Sequence, residues 1–269
     1  MEKKILKLTD QPYGPHARQK FDLALPEDCG DGLILLIHGG AWISGDKHSA
    51  HRLVDGWSGK GYATAAINYH FLSPDTHIDT LIHDIDLSLK AIREKARENG
   101  VALSRVMLAG VSAGAHMSLL YAYSMAVTAP IRPVCVMDYC GPSLLTDLVR
   151  SDPPEQEWID LLTNAAGIPY LEDTMEECRA ELVRYSPVTY VNENTVPTII
   201  CHGQKDTLVP YSNAVGLRNA LEANGAEYIF LPMPKADHGL EQKEIYEESE
   251  RLFEMYAERF LRDPEQKSE

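Results

Sequence analysis

The sequence predicts an α/β fold in which a mostly parallel central sheet is flanked by helices. Short apolar runs bounded by glycine, proline or asparagine recur along the chain and are typical of strands buried on both faces. The longer segments between them carry apolar residues at helical spacing. Alternation of the two patterns indicates a doubly wound sheet, and a length of 269 residues suits one domain spanning 1–269.

The elements follow in chain order. Ile5–Glu27 holds two strand-like pieces without a helix between them, which predicts an antiparallel pair at one sheet edge. Ile78–Glu98 predicts a long helix that ends at the Asn99-Gly100 pair, and a stripe from Ile245 to Phe260 predicts a terminal helix. The later apolar runs predict the buried strands Leu33–His38, Ala63–Tyr69, Arg105–Gly110, Val134–Tyr139, Thr198–His202 and Ala226–Leu231.

One long segment interrupts the alternation. Residues 141–190 lack a clear central strand and contain Pro153-Pro154 and the amphipathic piece Trp158–Ala166. Because the segment lies between two predicted core strands, we expect a small helical cap insertion. The alternative is a surface helical excursion without a role in binding.

Composition excludes several classes of protein. With 40 acidic and 25 basic residues the net charge is −15, which repels phosphate backbones and anionic lipid, so we expect neither nucleic acid nor membrane as a partner. We expect neither a signal peptide nor a membrane-spanning helix, because no long apolar run follows the first lysines or occurs elsewhere in the sequence. The odd cysteine count without CxxC spacing favours reduced thiols and a cytoplasmic location. These cysteines are Cys29, Cys135, Cys140, Cys178 and Cys201.

The strongest local motif is Gly110–Gly114 (GVSAG), which follows a predicted strand and precedes a predicted helix, Ala115–Val127. This context is that of a nucleophile elbow, where a sharp turn presents a serine, here Ser112, above a helix N-terminus. The other reading is an ordinary glycine-rich turn. The strand and helix on either side favour the elbow.

A second motif, His38–Trp42 (HGGAW), comes directly after the strand Leu33–His38. Acyl transfer needs N–H donors aimed at the oxyanion of a tetrahedral intermediate, and glycines after a strand leave backbone N–H groups free for that task. A plain tight turn is the alternative. The presence of the elbow elsewhere in the chain favours the oxyanion role.

A serine nucleophile needs a base, and the base needs a carboxylate that orients it. Asp206 follows the strand Thr198–His202, and His238 follows the strand Ala226–Leu231, in the chain order nucleophile, acid, base. Both positions lie beyond the carboxyl ends of strands, where open α/β sheets place their sites. His202 lies too close to Asp206 to act as the base. Asp237 is adjacent to His238 and is poorly placed to orient it from behind.

With these motifs, the chain resembles members of the α/β-hydrolase superfamily. The resemblance extends from about Leu33 to about Gly239. More narrowly the chain resembles small serine esterases with an HGGAW motif, a group that includes feruloyl and acetylxylan esterases, carboxylesterases related to hormone-sensitive lipase, and kynurenine formamidases. The resemblance implies Ser112 as nucleophile, Asp206 as acid and His238 as base. It also implies an oxyanion hole and no cofactor. The resemblance assigns this oxyanion hole to the backbone N–H groups of Gly40, Ala41 and Ala113.

Two positions depart from that family's pattern. Ala115 stands before His116 where many relatives have a second glycine, and His70 follows Asn68-Tyr69 where many have arginine. Alanine suits a helix, so the first departure should be harmless. The second can alter a structural hydrogen bond.

Other polar and aromatic residues have two readings each. We expect Asp46-Lys47 to tie down the oxyanion loop and His116 to pack beneath the elbow. Trp42 and Trp158 are candidates for the substrate pocket wall, with a simple core role as the alternative. No metal site is expected, since the pair His48 and His51 lacks a third ligand.

The predicted function is hydrolysis of carboxylic esters through an acyl-enzyme, on short-acyl or feruloyl and acetyl esters that include those of plant saccharides. An arylformamidase and an acyl-peptide hydrolase remain open as alternatives on the same triad. A non-enzymatic ligand receptor is disfavoured because no triad member is missing, and a purely structural protein is disfavoured because three chemical motifs would then coincide by chance. The expected partner is a small-molecule ester, and a homodimer remains an open alternative.

Overall fold

The computed structural model describes residues 4–148 and 155–262. In these ranges eight strands form one sheet in the order β1-β2-β4-β3-β5-β6-β7-β8. β1 pairs antiparallel with β2, β2 pairs antiparallel with β4, and all the remaining pairs are parallel. The strands are β1 (Ile5–Pro12), β2 (Lys20–Pro26), β3 (Gly32–Ile37), β4 (Ala63–Ile67), β5 (Arg105–Val111), β6 (Arg132–Tyr139), β7 (Thr198–Gly203) and β8 (Tyr228–Met233).

The predicted parallel sheet with an antiparallel edge pair is therefore confirmed, within a few residues at each strand end. β3 shows why its sequence reads as a continuous apolar run. Leu33, Leu35 and Ile37 enter the core on one face of the sheet, and Ile34 and Leu36 enter the core on the other. A strand buried on both faces needs apolar side chains at every position.

The described ranges contain seven helices. They are α1 (His51–Gly59), α2 (Ile78–Glu98), α3 (Ala113–Ser124), α4 (Gln156–Ala166), α5 (Met175–Arg184), α6 (Tyr211–Ala223) and α7 (Lys243–Leu261). α1 and α7 meet on one face, where the rings of Trp57 and Phe253 lie 4.8 Å apart between centroids. α2, α3 and α6 pack on the opposite face, through residues such as Ile85, Met117 and Leu217.

The described parts of the segment between β6 and β7 contain helices and irregular connections but no strand. It contains 3-10 turns at Leu145–Leu148 and Pro187–Tyr190, with α4 and α5 between them. α4 ends where Gly167 adopts a left-handed φ of 71°, a common helix stop. Pro153-Pro154 lies outside the described residues. The helical content agrees with the expectation for residues 141–190, and their role as a cap stays a prediction.

Two further predictions concern the cysteines and membrane-spanning helices. All five cysteines are unpaired and buried, as expected for reduced thiols in the core. Among the described helices, none combines the length and the apolarity that a lipid bilayer would demand of a spanning segment.

The carboxyl ends of β3, β5, β7 and β8 meet at one edge of the sheet, and the candidate site lies there.

Candidate active site

Ser112 occupies the sharp turn between β5 and α3. Its backbone has φ 54° and ψ −121°, a conformation that L-residues rarely adopt. The Ser112 N–H donates to the Tyr139 carbonyl over 2.8 Å, and the Ser112 carbonyl accepts from the His116 N–H over 3.0 Å. These bonds from both sides hold the strained turn, as a nucleophile elbow requires.

Close backbone contacts leave no room for a side chain at the two glycines of the motif. A Cβ on Gly110 would lie 2.3 Å from the carbonyl carbon of Gly114, and a Cβ on Gly114 would lie 2.1 Å from the Ile37 carbonyl oxygen. The second contact presses the start of α3 against the end of β3. The serine and the loop that follows β3 are therefore placed side by side by backbone packing.

That loop carries the predicted oxyanion donors. Gly40, Ala41 and Trp42 all have positive φ, at 115°, 50° and 60°. The Gly40 carbonyl turns inward to accept from the N–H groups of Ile43 and Ser44, at 3.0 and 2.9 Å. In the part of the chain that the structure describes, no backbone hydrogen bond outside helices and strands uses the N–H groups of Gly40, Ala41 or Ala113. These donors are available to a ligand, and the last of them stands at a helix N-terminus.

A buried polar network fixes the far end of the loop. The Lys47 N–H donates to Asn68 Oδ1 over 2.6 Å, and Asn68 Nδ2 donates to Asp46 Oδ2 over 2.7 Å. The Lys47 ammonium is almost fully buried and lies 2.8 Å from Asp22 Oδ2 and 2.9 Å from Asp10 Oδ1. Burial would lower the pKa of Lys47, but its bonds to Asp22 and Asp10 raise it. The prediction that Asp46-Lys47 ties down the loop is confirmed.

Arg18 supports the same loop, and nothing in its local sequence indicated this. Its guanidinium donates to the Gly45 and Tyr69 carbonyls, at 3.0 and 2.8 Å, and lies 3.3 Å from His38 Nε2. His70, at the position where many relatives have arginine, instead directs its N–H and Nδ1 to Asp84 Oδ2, both at 2.7 Å. The second departure from the family's pattern thus has its own hydrogen-bonding partner here.

Asp206 and His238 come together as predicted. His238 Nδ1 donates to Asp206 Oδ2 over 2.8 Å, and the aspartate side chain is fully buried. Asp206 Oδ1 accepts from the N–H groups of Leu208 and Val209, at 2.9 and 2.8 Å. Burial would raise the pKa of Asp206, but hydrogen bonds from His202, His238 and Val209 hold it well below its usual range. The carboxylate therefore stays ionised and fixes His238 with Nε2 facing away.

The two rivals have other roles. Asp237 is exposed, and its Oδ1 accepts from the N–H groups of Thr207 and His238, so it shapes the loop without reaching the imidazole. His202 is buried, donates from Nε2 to the Val209 carbonyl over 3.0 Å, and lies 3.2 Å from Asp206 Oδ2. The sequence placed His202 at the end of a strand four residues before the acid, but it did not reveal this contact.

The sequence did not indicate that two further buried groups, Cys140 and Asp138, lie beneath the site. Cys140 has a φ of 48°, and its thiol lies 3.5 Å from the His238 carbonyl. Burial raises the pKa of this thiol well above its usual value, so Cys140 packs as a neutral group. Asp138 is fully buried, and burial raises its pKa to about 7, against the lowering effects of His202 and of the Gly141 N–H. Among the described residues, Asp138 Oδ2 and His202 Nδ1 have no hydrogen-bond partner.

The aromatic candidates lie in two different settings. Trp42 is buried, and its indole N–H donates to His116 Nδ1 over 3.2 Å. His116 in turn donates from Nε2 to the Tyr185 carbonyl, and burial lowers its pKa to about 4, so it packs neutral beneath the elbow as predicted. Trp158 is half-buried against the core from α4. The assignment of Trp42 and Trp158 to a substrate pocket stays a prediction.

The polar residues His48 and His51 are each engaged elsewhere. His48 contacts the Asp46 carboxylate, and His51 Nε2 lies 2.9 Å from Asp22 Oδ2. Both therefore belong to the network that holds the loop. In the described ranges, the residues whose ligand atoms lie close enough to share a metal ion are Cys140, Asp206 and His238. Among these three, His238 Nδ1 lies 2.8 Å from Asp206 Oδ2, and the Cys140 thiol lies 3.5 Å from the His238 carbonyl.

A family model decides where this chain belongs. The BD-FAE model matches residues 21–221, which spans β2 to α6 and includes the elbow, the oxyanion loop and Asp206. The chain belongs to the BD-FAE family. The resemblance stated from the HGGAW and GVSAG motifs is thereby confirmed at the level of the family.

This BD-FAE member is similar to curated and solved esterases. Esterase LipQ of Mycobacterium tuberculosis is 28% identical over 250 residues, which cover 87% of this chain and 57% of LipQ. The chain spans about half the length of the first curated relatives that it matches. Esterase B of Lactobacillus rhamnosis superposes with a TM-score of 0.76 at 20% identity, over 94% of this chain and 86% of that one.

A carbohydrate esterase from gut microbiota, solved in truncated form, superposes equally well. Its TM-score is 0.75 at 18% identity, over 94% of this chain and 96% of that one. At such identities the likeness concerns the fold. The α/β-hydrolase fold that the sequence motifs predict is confirmed.

Proposed function

We propose that this BD-FAE family protein is a serine hydrolase of carboxylic esters that works through an acyl-enzyme. The observation that carries the proposal is the 2.8 Å contact between His238 Nδ1 and Asp206 at the edge of the sheet where Ser112 sits on a strained elbow. An oriented imidazole, a half-buried serine in a strained turn and unused N–H donors are the parts that acyl transfer needs.

The proposed reaction starts when Ser112 Oγ attacks the ester carbonyl carbon and His238 Nε2 takes the serine proton. The N–H groups of Gly40, Ala41 and Ala113 stabilise the negative charge on the carbonyl oxygen. His238 then gives the proton to the leaving alcohol, and the acyl-enzyme forms. Water, deprotonated by His238, releases the acid. Asp206 keeps the imidazole in the correct tautomer and stabilises its positive charge throughout.

Short-acyl esters of small alcohols are the substrate class that we propose first. Feruloyl and acetyl esters of plant saccharides are the second candidate, because a carbohydrate esterase shares the fold over 94% of this chain. Residues 141–190 are the proposed cap over the site. A cytoplasmic location and a homodimer stay predictions.

The test is hydrolysis of p-nitrophenyl esters, acetate through octanoate plus ferulate, beside N-formylkynurenine and an acetylated amino-acid anilide. We expect ester turnover that Ser112→Ala lowers by about 10⁴-fold or more. Ser124→Ala in the same helix α3 is the matched control and keeps full activity. A fluorophosphonate probe should add one label to the wild type and none to Ser112→Ala, as read by intact mass.

Two results would redirect the proposal. Turnover of the formamide or the anilide with no ester turnover assigns the same triad to an arylformamidase or an acyl-peptide hydrolase. A folded protein that turns over nothing and takes no label is a ligand receptor on a hydrolase fold.

A further inference from the structure

A cavity of about 300 Å³ adjoins the candidate site on the sheet face that α1 and α7 cover. It opens at the carboxyl ends of β3, β5 and β6, between the start of α1, the start of α7 and the loop after β8. Its wall near the site is formed by Val111 and by His238-Gly239. The function proposed above assigns no role to this space.

The position of His238 indicates which part of an ester this cavity faces. In the tetrahedral intermediate the carbonyl oxygen points to the N–H groups of Gly40, Ala41 and Ala113. The leaving oxygen must face the imidazole, because His238 protonates it. A cavity walled by His238 therefore lies on the alcohol side of the scissile bond. Val111, which directly precedes the nucleophile, lines the same side.

The lining of the cavity is apolar. Its side chains include Leu36, Leu53, Ala109, Val111 and Leu240, and none of the described lining residues carries a carboxylate, an ammonium or a guanidinium group. At the mouth, Leu53 is 36% exposed and Val111 is 41% exposed. Apolar side chains that remain exposed around a concave site favour an apolar ligand.

Two polar side chains of the lining, Tyr139 and His38, already have partners within the protein. The Tyr139 hydroxyl donates to Glu250 Oε1 over 2.8 Å, with Ser249 Oγ 3.1 Å away. His38 donates from Nδ1 to the Gly39 carbonyl, while its Nε2 accepts from Arg18. A sugar buried here would lose more hydrogen bonds to water than the few remaining polar side chains of the lining could replace, which is unfavourable.

We infer that this cavity binds the alcohol moiety of the substrate and that the moiety is apolar, a short alkyl chain or one aromatic ring. The inference rests on the proposed esterase function and deepens it. A volume of 300 Å³ equals that of about ten liquid waters, which suffices for one ring or a few methylenes but not for an oligosaccharide. Esters of apolar alcohols are then preferred over esters of sugar hydroxyls.

The test holds the acyl group constant and varies the alcohol. Methyl, ethyl, propyl, butyl and benzyl acetate have alcohols of similar acidity, so their chemistry differs little. We expect kcat/KM to rise about fourfold with each methylene that enters the cavity, until it is full. Fully acetylated methyl xyloside should be a poorer substrate than butyl acetate.

Leu53→Trp fills the mouth of the cavity, and the readout is the ratio of kcat/KM for butyl acetate to that for methyl acetate. This ratio should fall to near one, while the dependence on acyl length, measured with methyl esters, keeps its wild-type profile. Met255→Trp is the matched control. Met255 is 45% exposed on α7 and does not line the cavity. The Met255→Trp variant should therefore keep the wild-type ratio of kcat/KM for the two acetates.

Three outcomes would overturn the inference. A flat alcohol series in the wild type leaves the cavity without a role in binding. A Leu53→Trp variant that changes the acyl profile instead places the acid moiety in the cavity. Acetylated xyloside that outperforms butyl acetate refutes the apolar preference. In all three the esterase function stands, whereas the absence of any ester turnover by the folded protein overturns both.

Discussion

Asp138 should make the stability of this protein fall as the pH rises. Its carboxyl is fully buried at the end of β6, and burial raises its pKa from 3.8 to about 7. The folded protein therefore keeps a proton up to about pH 7 that the unfolded chain gives up near pH 3.8. The resulting stabilisation is complete below pH 3.8 and is lost as the pH rises through 7.

The magnitude follows from the two pKa values. Their difference of about 3 corresponds to about 4 kcal/mol, of which about 3 kcal/mol is lost between pH 5 and pH 8. The neighbouring Tyr123, Cys140 and Cys201 have pKa values raised by burial, so they remain neutral in this interval. The neighbouring His202 lowers the pKa of Asp138, against the larger effect of burial.

The assay is urea unfolding of the wild type and Asp138→Asn at pH 5 and pH 8. Asparagine keeps an oxygen that can accept the Gly141 N–H bond, which is 2.7 Å long, so the variant should fold. The wild type should lose about 3 kcal/mol more than the variant between the two pH values. Other titrating groups, His116 among them, cancel in this comparison. Equal losses in the two proteins would refute the assignment of a raised pKa to Asp138.

Three further predictions concern the site. Gly114→Ala should lower the unfolding free energy by about 1–3 kcal/mol and also lower kcat, because the new Cβ meets the Ile37 carbonyl at 2.1 Å; an unchanged urea midpoint contradicts this. Asp206→Asn should lower kcat by about 10⁴-fold, whereas Asp237→Asn should change it far less, and equal losses in steady-state kinetics would mean that the acid is misassigned. Lys47→Met should cost about 3–5 kcal/mol in thermal or urea unfolding, since it leaves a buried carboxylate of β2 without its ammonium partner; a loss below 1 kcal/mol argues against that pairing.

Local features made most of the fold predictable. A strand buried on both faces reads as an unbroken apolar run, as in β3, and a helix with one buried face reads as the stripe of α2. The elbow and the loop after β3 were also predictable, because close backbone approach requires glycine at Gly110 and Gly114 and Gly40 has a positive φ. Asp206 and His238 were found because parallel strands deliver their carboxyl ends to one edge.

The supporting residues could not be found in this way. Arg18 reaches Gly45 and Tyr69 from a different part of the chain, and no local pattern records that approach. The contact of His202 with Asp206 and the burial of Asp138 depend on how β6, β7 and the loop after β8 pack together. Such roles are set by tertiary packing, which patterns in a single sequence do not reveal.

The run of positive φ at Gly40, Ala41 and Trp42 has a thermodynamic consequence. Each non-glycine residue held in this region costs about 1–2 kcal/mol, so the loop carries a local deficit of about 2–4 kcal/mol. The ion pairs of Lys47 and the bonds of Arg18 offset that deficit when the chain folds. In the proposed reaction, the N–H donors of this loop need no reorientation as charge develops on the reacting oxygen. Under that proposal, the cost of orienting them is met when the chain folds.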